Sequence, residues 1–141
     1  VKQFELDVAV PTIRRTFRFE NDAPSETTER VAEYFQTSGF SRWTAIYGEG
    51  RIPPIWRVIR DGHDQAMAQV IDWIADDGTR TALDAGCGTG ALSLKLAQNG
   101  CRVDAFDVSA PMISFARYNT KDRSRGIAPN FYVGDIAGLK E

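Results

Sequence analysis

The sequence predicts an α/β protein whose second half is built on a parallel sheet. From about residue 80 onward, short runs with β character alternate with helical patterns. Residues 80–84, 101–107 and 130–135 read as strands, and 90–99 and 110–121 as helices. Strands separated by helices join through right-handed crossovers, so these three run parallel. The first strand also leads straight into the stretch LDAGCGTG, where Gly86, Gly88 and Gly90 alternate before a helix begins. The chain before residue 79 lacks this alternation and has a largely helical rhythm.

Composition sets the outer bounds. With 141 residues, 43% hydrophobic and 26% charged, the chain fits one globular domain. Residues 1–80 carry 10 basic and 13 acidic side chains and residues 81–141 carry 7 and 6, so neither half offers the basic face that holds nucleic acid. No apolar run approaches the roughly 18 residues of a membrane span, which leaves peripheral membrane association open. No secretory signal is visible at the N-terminus. Cys87 and Cys101 are too few and too badly spaced for a zinc site or a disulfide framework, and read as reduced thiols of an intracellular protein. No ligand cluster for a protein-bound metal is visible.

Residues 1–24 form an N-terminal extension. Phe4, Leu6, Val8 and Val10 alternate as in a short strand, and Arg14, Arg15 and Arg18 follow around Phe17 and Phe19. The expectation is a partly disordered or late-packing segment, with an anion-binding arm as the alternative. Residues 25–78 form a helical segment. A helix over 25–39 has Ser25 as N-cap, Glu26 and Glu29 in its first turn, a stripe of Val31, Tyr34 and Phe35, and Gly39 as its stop. A short helix over 41–47 closes at Gly48, and Pro53-Pro54 belongs to a stiff loop. A longer helix runs from Ile55 to Asp77, with Ile55, Ile59, Ala66, Val70 and Ile74 on one face. Gly62 predicts a bend or a break in it, and Gly78 its end. Residues 79–141 hold the three strands and two crossover helices. These amount to half of a doubly wound sheet, and a parallel sheet needs both faces covered, so a truncated first half of a larger domain is expected.

The glycine stretch carries the chemistry. Glycines between a strand and a helix let the backbone turn sharply and approach a ligand with no Cβ in the way, while the first helical amides point at that ligand. Gly86, Gly88 and Ala91 satisfy the dinucleotide fingerprint, and Asp107 supplies its acidic residue about 20 positions on. On those marks NAD fits. Three features favour another nucleotide. Asp84 stands where a dinucleotide strand is apolar, and its carboxylate suits an ammonium group such as that of S-adenosylmethionine. The glycines alternate without a gap, which suits a ligand lacking a pyrophosphate. Gly134-Asp135 closes the third strand, placing a carboxylate where it can accept from the exocyclic amine of an adenine. Asp107 then accepts from the ribose hydroxyls, as an acceptor-only, bidentate group does well. An NAD-dependent oxidoreductase and a non-catalytic binding module or inactive fragment stand as the rival readings.

Residues 80–136 resemble the class I S-adenosylmethionine-dependent methyltransferases, a Rossmann-like fold. The resemblance implies that Asp84, Gly86, Gly88 and Gly90 form the first cofactor motif, that Asp107 contacts the ribose, and that Gly134-Asp135 reaches the adenine between Val108, Met112 and Ile136. Residues 31–63, with VAEYFQTSGFSRWTAIYGEG and then RVIRDGH, resemble the magnesium-protoporphyrin IX methyltransferases of chlorophyll synthesis. That likeness implies methyl-ester formation on a porphyrin propionate, in the plastid or cytoplasm of a photosynthetic organism, with magnesium belonging to the substrate. A quinone precursor or another small acid or phenol is the alternative acceptor. A carboxylic acid is already ionised at neutral pH, so alignment and removal of water matter more than a strong base. The N-terminal helices then act as a lid. Trp43, Phe40 and Trp56 offer surface to the macrocycle, and Arg42, Arg57 or Arg60 pair with propionates. Tyr47 is the candidate catalytic residue, orienting the carboxylate, with Trp43 and Arg60 the candidate substrate contacts. His63 reads as a capping or packing residue, and Cys87 as a small residue filling space. Oligomeric state is left open.

Overall fold

A computed structural model describes residues 3–7, 14–19, 26–48, 50–78, 80–123 and 126–140. In chain order the elements are β1 (Gln3–Asp7), β2 (Arg14–Phe19), α1 (Glu26–Gln36), α2 (Ser38–Tyr47), α3 (Pro54–Asp77), β3 (Thr81–Ala85), α4 (Ala91–Gln98), β4 (Arg102–Asp107), α5 (Ala110–Thr120), β5 (Asn130–Val133), a 3-10 turn (Ile136–Gly138) and β6 (Leu139–Lys140).

The central sheet has the order β3-β4-β5 and all its pairs are parallel. Its register sets Asp84 opposite Ala105 and Asp107 opposite Val133, so the carboxylates lie at the C-terminal edge of the sheet. Alternation along β4 sends side chains to two faces. Val103 and Ala105 meet Leu96, Ala97, Ile113 and Ala116 of the crossover helices, with Ile71 and Ile74 of α3 packed alongside. On the other face Phe106 meets Phe19 edge-to-face at 5.0 Å, with Leu83, Tyr132 and Leu139 around the pair. Asp104, also buried there, accepts from Asn130 Nδ2 at 3.0 Å and from the Tyr132 hydroxyl at 3.1 Å. Burial, with the Asp104 charge beside it, pushes the Tyr132 phenol up to about 12.

The strand read around Phe4 and Leu6 is present as β1, while the partly disordered or late-packing expectation is not met in the described residues. β1 and β2 form an antiparallel hairpin, and β6 pairs with β2 through Arg18 opposite Lys140 and Phe19 opposite Leu139. The segment is therefore ordered where it is described, because Phe19 finds Phe106 and β2 finds a partner strand near the other end of the chain. Val8 and Val10, and Ser25 as N-cap, lie outside the described residues.

In the helical segment, the first helix stops at Gln36 rather than at Gly39, and Gly39 sits inside the first turn of α2. A Cβ at Gly39 would lie 2.7 Å from the Tyr34 ring and 2.9 Å from its carbonyl oxygen, so this glycine permits close approach of the two helices. Pro54 starts α3 at its first position, where a missing N–H costs nothing, instead of belonging to a loop. α3 then runs through Gly62 without a break. One glycine weakens a helix by about 1 kcal/mol, which the packing of Met67, Ile71 and Ile74 further along α3 offsets. Of the expected apolar face only Val70 and Ile74, in that later half, are partly buried, while Ala66 is exposed and Ile55 remains 64% exposed.

Candidate functional site

The C-terminal ends of β3, β4 and β5 converge on one cleft. After β3 the chain folds across the end of β4, with the amides of Gly86 and Cys87 both donating to the Phe106 carbonyl at 2.9 and 3.0 Å. Gly86 adopts φ +78°, and a Cβ built on it would meet nothing within 4 Å. The loop therefore floors the cleft with bare backbone. Asp107 ties the region together. Its Oδ2 accepts from the Gly88 amide and its Oδ1 from the Ser109 amide, each at 2.9 Å, while its carbonyl accepts from Gly134 at 3.0 Å. Asp84 Oδ2 accepts from the hydroxyl of fully buried Ser93 at 2.6 Å. Burial holds the Asp84 carboxyl above its usual range; the Ser93 hydrogen bonds pull it down and the Asp107 charge pushes it up again. Asp135 caps the 3-10 turn by accepting from the Ala137 amide at 3.0 Å. Burial also raises the Cys87 thiol, with Asp84 and Asp107 adding to it, so it is an inert space-filler beside the loop.

The opposite wall comes from the helices. Trp43 and Tyr47 lie one turn apart on α2, and His63 of α3 stacks on Trp43 at 5.1 Å with an interplanar angle of 9°. The Tyr47 hydroxyl and His63 Nδ1 are 2.8 Å apart. Burial and the Asp64 charge raise the Tyr47 phenol, against a smaller lowering by Arg60. Val31 and Phe35 of α1 complete this wall, and α1 is tied to the start of α5 by the Ser109 hydroxyl donating to the Phe35 carbonyl at 3.3 Å. The cleft has a volume of about 580 Å³, inside the range of roughly 300–1,000 Å³ common for small-molecule sites.

The lining has three carboxylates, Asp84, Asp107 and Asp135, and, among the described residues, no lysine or arginine. A dinucleotide pyrophosphate would lie beside unbalanced negative charge there. A ligand carrying an ammonium, a ribose and an adenine but no phosphate matches the acceptors, and the Cβ-free floor leaves it room. S-adenosylmethionine has that set of groups. Among the described residues no group of histidine, cysteine and carboxylate side chains is arranged to hold a metal ion, and no helix is long and apolar enough to cross a membrane.

A family of methyltransferase domains matches residues 82–141. The crystal structure of magnesium protoporphyrin IX methyltransferase from Synechocystis, with bound SAH, superposes with a TM-score of 0.76 at 36% identity, covering 82% of this chain and 54% of that one. By fold and sequence residues 82–141 belong to a class I methyltransferase domain. The magnesium-protoporphyrin O-methyltransferase of Synechocystis is 39% identical over 113 residues, 77% of this chain and 49% of that protein. The chloroplastic magnesium protoporphyrin IX methyltransferase of Arabidopsis thaliana is 38% identical over 117 residues, 79% of this chain and 37% of that protein. This chain thus spans about half or less of the curated relatives it matches. A 23S rRNA (uracil(1939)-C(5))-methyltransferase of Shewanella aligns over only 71 residues, half of this chain.

Within the methyltransferase domain, Asp84, Gly86, Gly88, Asp107, Val108, Met112, Gly134, Asp135 and Ile136 all border the cleft, and so do Trp43 and Tyr47. Gly90 turns away from it: a Cβ there would press on Ala116 and Phe131. Arg60 lies outside the lining, near enough to Tyr47 to lower its phenol, and Arg42 instead donates to the Tyr34 hydroxyl at 3.4 Å. Phe40 packs edge-on against Phe115, and Trp56 and Arg57 do not line the cleft. Sequence reasoning missed Ser93 and Ser109. Both had a signal: Ser93 interrupts the apolar face of α4 between Leu92 and Leu94, and Ser109 precedes Ala110-Pro111 as a helix N-cap would.

Ser93 yields a prediction for the methyltransferase. Its hydroxyl stabilises ionised Asp84, so Ser93→Ala raises the Asp84 carboxyl further. A raised carboxyl means the folded state binds more protons than the unfolded chain. The corresponding stability is present below the unfolded value of 3.8 and is lost as pH rises through the folded one. Binding of a ligand ammonium, the role expected of Asp84 from the sequence, would run the other way, because it needs the carboxylate. S-adenosylhomocysteine affinity, read by calorimetry at stepped pH, is expected to strengthen as pH rises above that value. In Ser93→Ala the rise should move to higher pH. A midpoint unmoved by the substitution would separate Ser93 from the ligand.

Proposed function

We propose that this cleft binds S-adenosylmethionine through Asp84, Asp107, Asp135 and the glycine floor. The full-length protein, on this reading, methylates a propionate carboxylate of magnesium protoporphyrin IX to the monomethyl ester. The observation that carries the acceptor is the reach of the similarity. Relatives named for magnesium protoporphyrin align over 113 and 117 residues, well into the helices before the glycine loop, whereas the rRNA methyltransferase aligns over 71. Those helices supply the wall that faces the cofactor loop.

Bound S-adenosylmethionine supplies an activated methyl group; transfer joins a carboxylate oxygen to the methyl carbon as the carbon–sulfur bond breaks. This chain's residues hold and orient. Asp84 takes the ammonium, Asp107 the ribose hydroxyls and Asp135 the adenine amine, with Val108, Met112 and Ile136 against the adenine. Gly90 contributes to the same motif from behind, by seating α4. Trp43 offers a flat face to the macrocycle, and Tyr47 is the catalytic residue that orients the propionate. Arg60 attracts that propionate from outside the lining. α1 and α2 form the lid that excludes water. A carboxylate and a sulfonium lose their opposite charges together on transfer, so a dry cleft favours the reaction. The substrate assigns the protein to the plastid or cytoplasm of a photosynthetic organism.

The test is to incubate the full-length protein with magnesium protoporphyrin and methyl-labelled S-adenosylmethionine. One label per macrocycle, in a monomethyl ester, is expected. Labelling of a quinone precursor or another small acid, with none on the porphyrin, would overturn the acceptor assignment. Titration with S-adenosylhomocysteine and with NADH addresses the cofactor, and saturation by NADH alone would overturn it.

A further inference from the structure

We infer that His63 is a positioning residue for Tyr47, and that the cleft receives a carboxylate only when His63 Nδ1 carries a proton. The inference rests on the carboxylate acceptor proposed above and deepens it. The cleft must bind an anion, yet its described lining holds three carboxylates and no lysine or arginine. Donors on the aromatic wall therefore matter. The Tyr47 hydroxyl stands there at 2.8 Å from His63 Nδ1, and which of the two donates depends on the imidazole tautomer.

The two arrangements present opposite faces to the cleft. If Nδ1 is bare, the Tyr47 hydrogen goes to it, and the phenol shows the cleft only lone pairs, which repel a carboxylate. If Nδ1 carries the proton, it donates to the Tyr47 oxygen. The phenolic hydrogen then turns outward and donates to the carboxylate. Burial and Asp64 keep the Tyr47 phenol in its neutral, donating form. The stack of His63 on Trp43, nearly parallel, holds the imidazole plane, and in that plane Nδ1 faces the Tyr47 hydroxyl. The charged groups around the pair are Arg60 and Asp64 of α3, the latter 3.7 Å from Lys95 of α4, and Asp84, Asp107 and Asp135 across the cleft. On this inference the capping or packing role expected from the sequence becomes a role in substrate orientation.

Two substitutions divide ring from hydrogen bond. H63F keeps an aromatic ring against Trp43 and loses the donor; H63N loses the ring and keeps an N–H near the Nδ1 position. In the full-length protein with magnesium protoporphyrin, H63F is expected to lose about 10- to 100-fold in kcat/KM for the porphyrin, the effect of one hydrogen bond to a charged group. Its S-adenosylhomocysteine affinity should stay near that of the unmodified protein, which also reports folding. H63N is expected to recover to within about fivefold of the unmodified protein. Equal loss in both variants, or no loss in H63F, would overturn the inference. Nitrogen NMR of the imidazole, assigned by its absence from H63N, gives a readout independent of turnover. Y47F should shift the Nδ1 resonance, and porphyrin binding should bring it to the protonated type. An Nδ1 signal indifferent to Y47F, or bare with porphyrin bound, overturns the inference. If the unmodified protein makes no porphyrin ester, the acceptor proposal falls, while the Y47F shift still decides whether Tyr47 and His63 are coupled.

Discussion

Asp107→Ala is expected to remove S-adenosylhomocysteine binding almost entirely, by at least about 100-fold, or about 3 kcal/mol. The size follows from what the carboxylate already does without a ligand. One oxygen holds the Gly88 amide and the other the Ser109 amide, so the same group shapes the glycine loop and the entry to α5. Alanine leaves both N–H groups without their acceptor, and each unsatisfied buried donor costs about 1–3 kcal/mol. It also removes the lone pairs that the proposed function assigns to the ribose hydroxyls. Asn is not a conservative rescue: its amide nitrogen would face Gly88 or Ser109 N–H, donor against donor. Asp107→Asn should therefore bind nearly as poorly as Asp107→Ala in calorimetric titration. Affinity within threefold of the unmodified protein in either variant would remove Asp107 from the site.

This dual duty explains what was legible in the chain. Asp84, Asp107 and Asp135 could be placed at consecutive strand ends because strands of alternating pattern bring their ends to one edge, and their acceptor chemistry follows from side-chain type. The partners of those carboxylates were harder. Ser93 and Ser109 are ordinary residues in sequence, and their importance arises only when α4 and α5 fold back over the strand ends. Longer separations were harder still. β2 pairs not only with β1 but also with Leu139–Lys140, and no local pattern around Arg14–Phe19 announces that second pairing. The aromatic wall was half readable: the spacing of Trp43 and Tyr47 puts them on one helix face, whereas their meeting with His63 depends on how α2 crosses α3.

Gly90 and Gly86 are expected to fail in opposite ways, although they stand in the same motif with nearly the same backbone angle. Gly90 has φ +75°, and an added Cβ would lie 2.9 Å from Ala116 Cβ and 3.0 Å from Phe131 Cζ. Gly90→Ala combines left-handed strain of about 1–2 kcal/mol with overpacking of about 1–3 kcal/mol. Together these take a large share of the roughly 5–15 kcal/mol that holds a domain together, and a drop in melting temperature on the order of 10 °C is expected. Gly86, at φ +78° with nothing within 4 Å of the new Cβ, bears the strain alone. Its extra methyl enters the space over the loop, so Gly86→Ala should melt only a few degrees lower while losing S-adenosylhomocysteine binding out of proportion to its stability. Calorimetry on both variants, melting and titration together, separates the two roles. If Gly86→Ala proved the less stable protein, the division between a glycine that seats α4 and a glycine that floors the cleft would be wrong, because the same methyl cannot be free of contacts and also unpack the core.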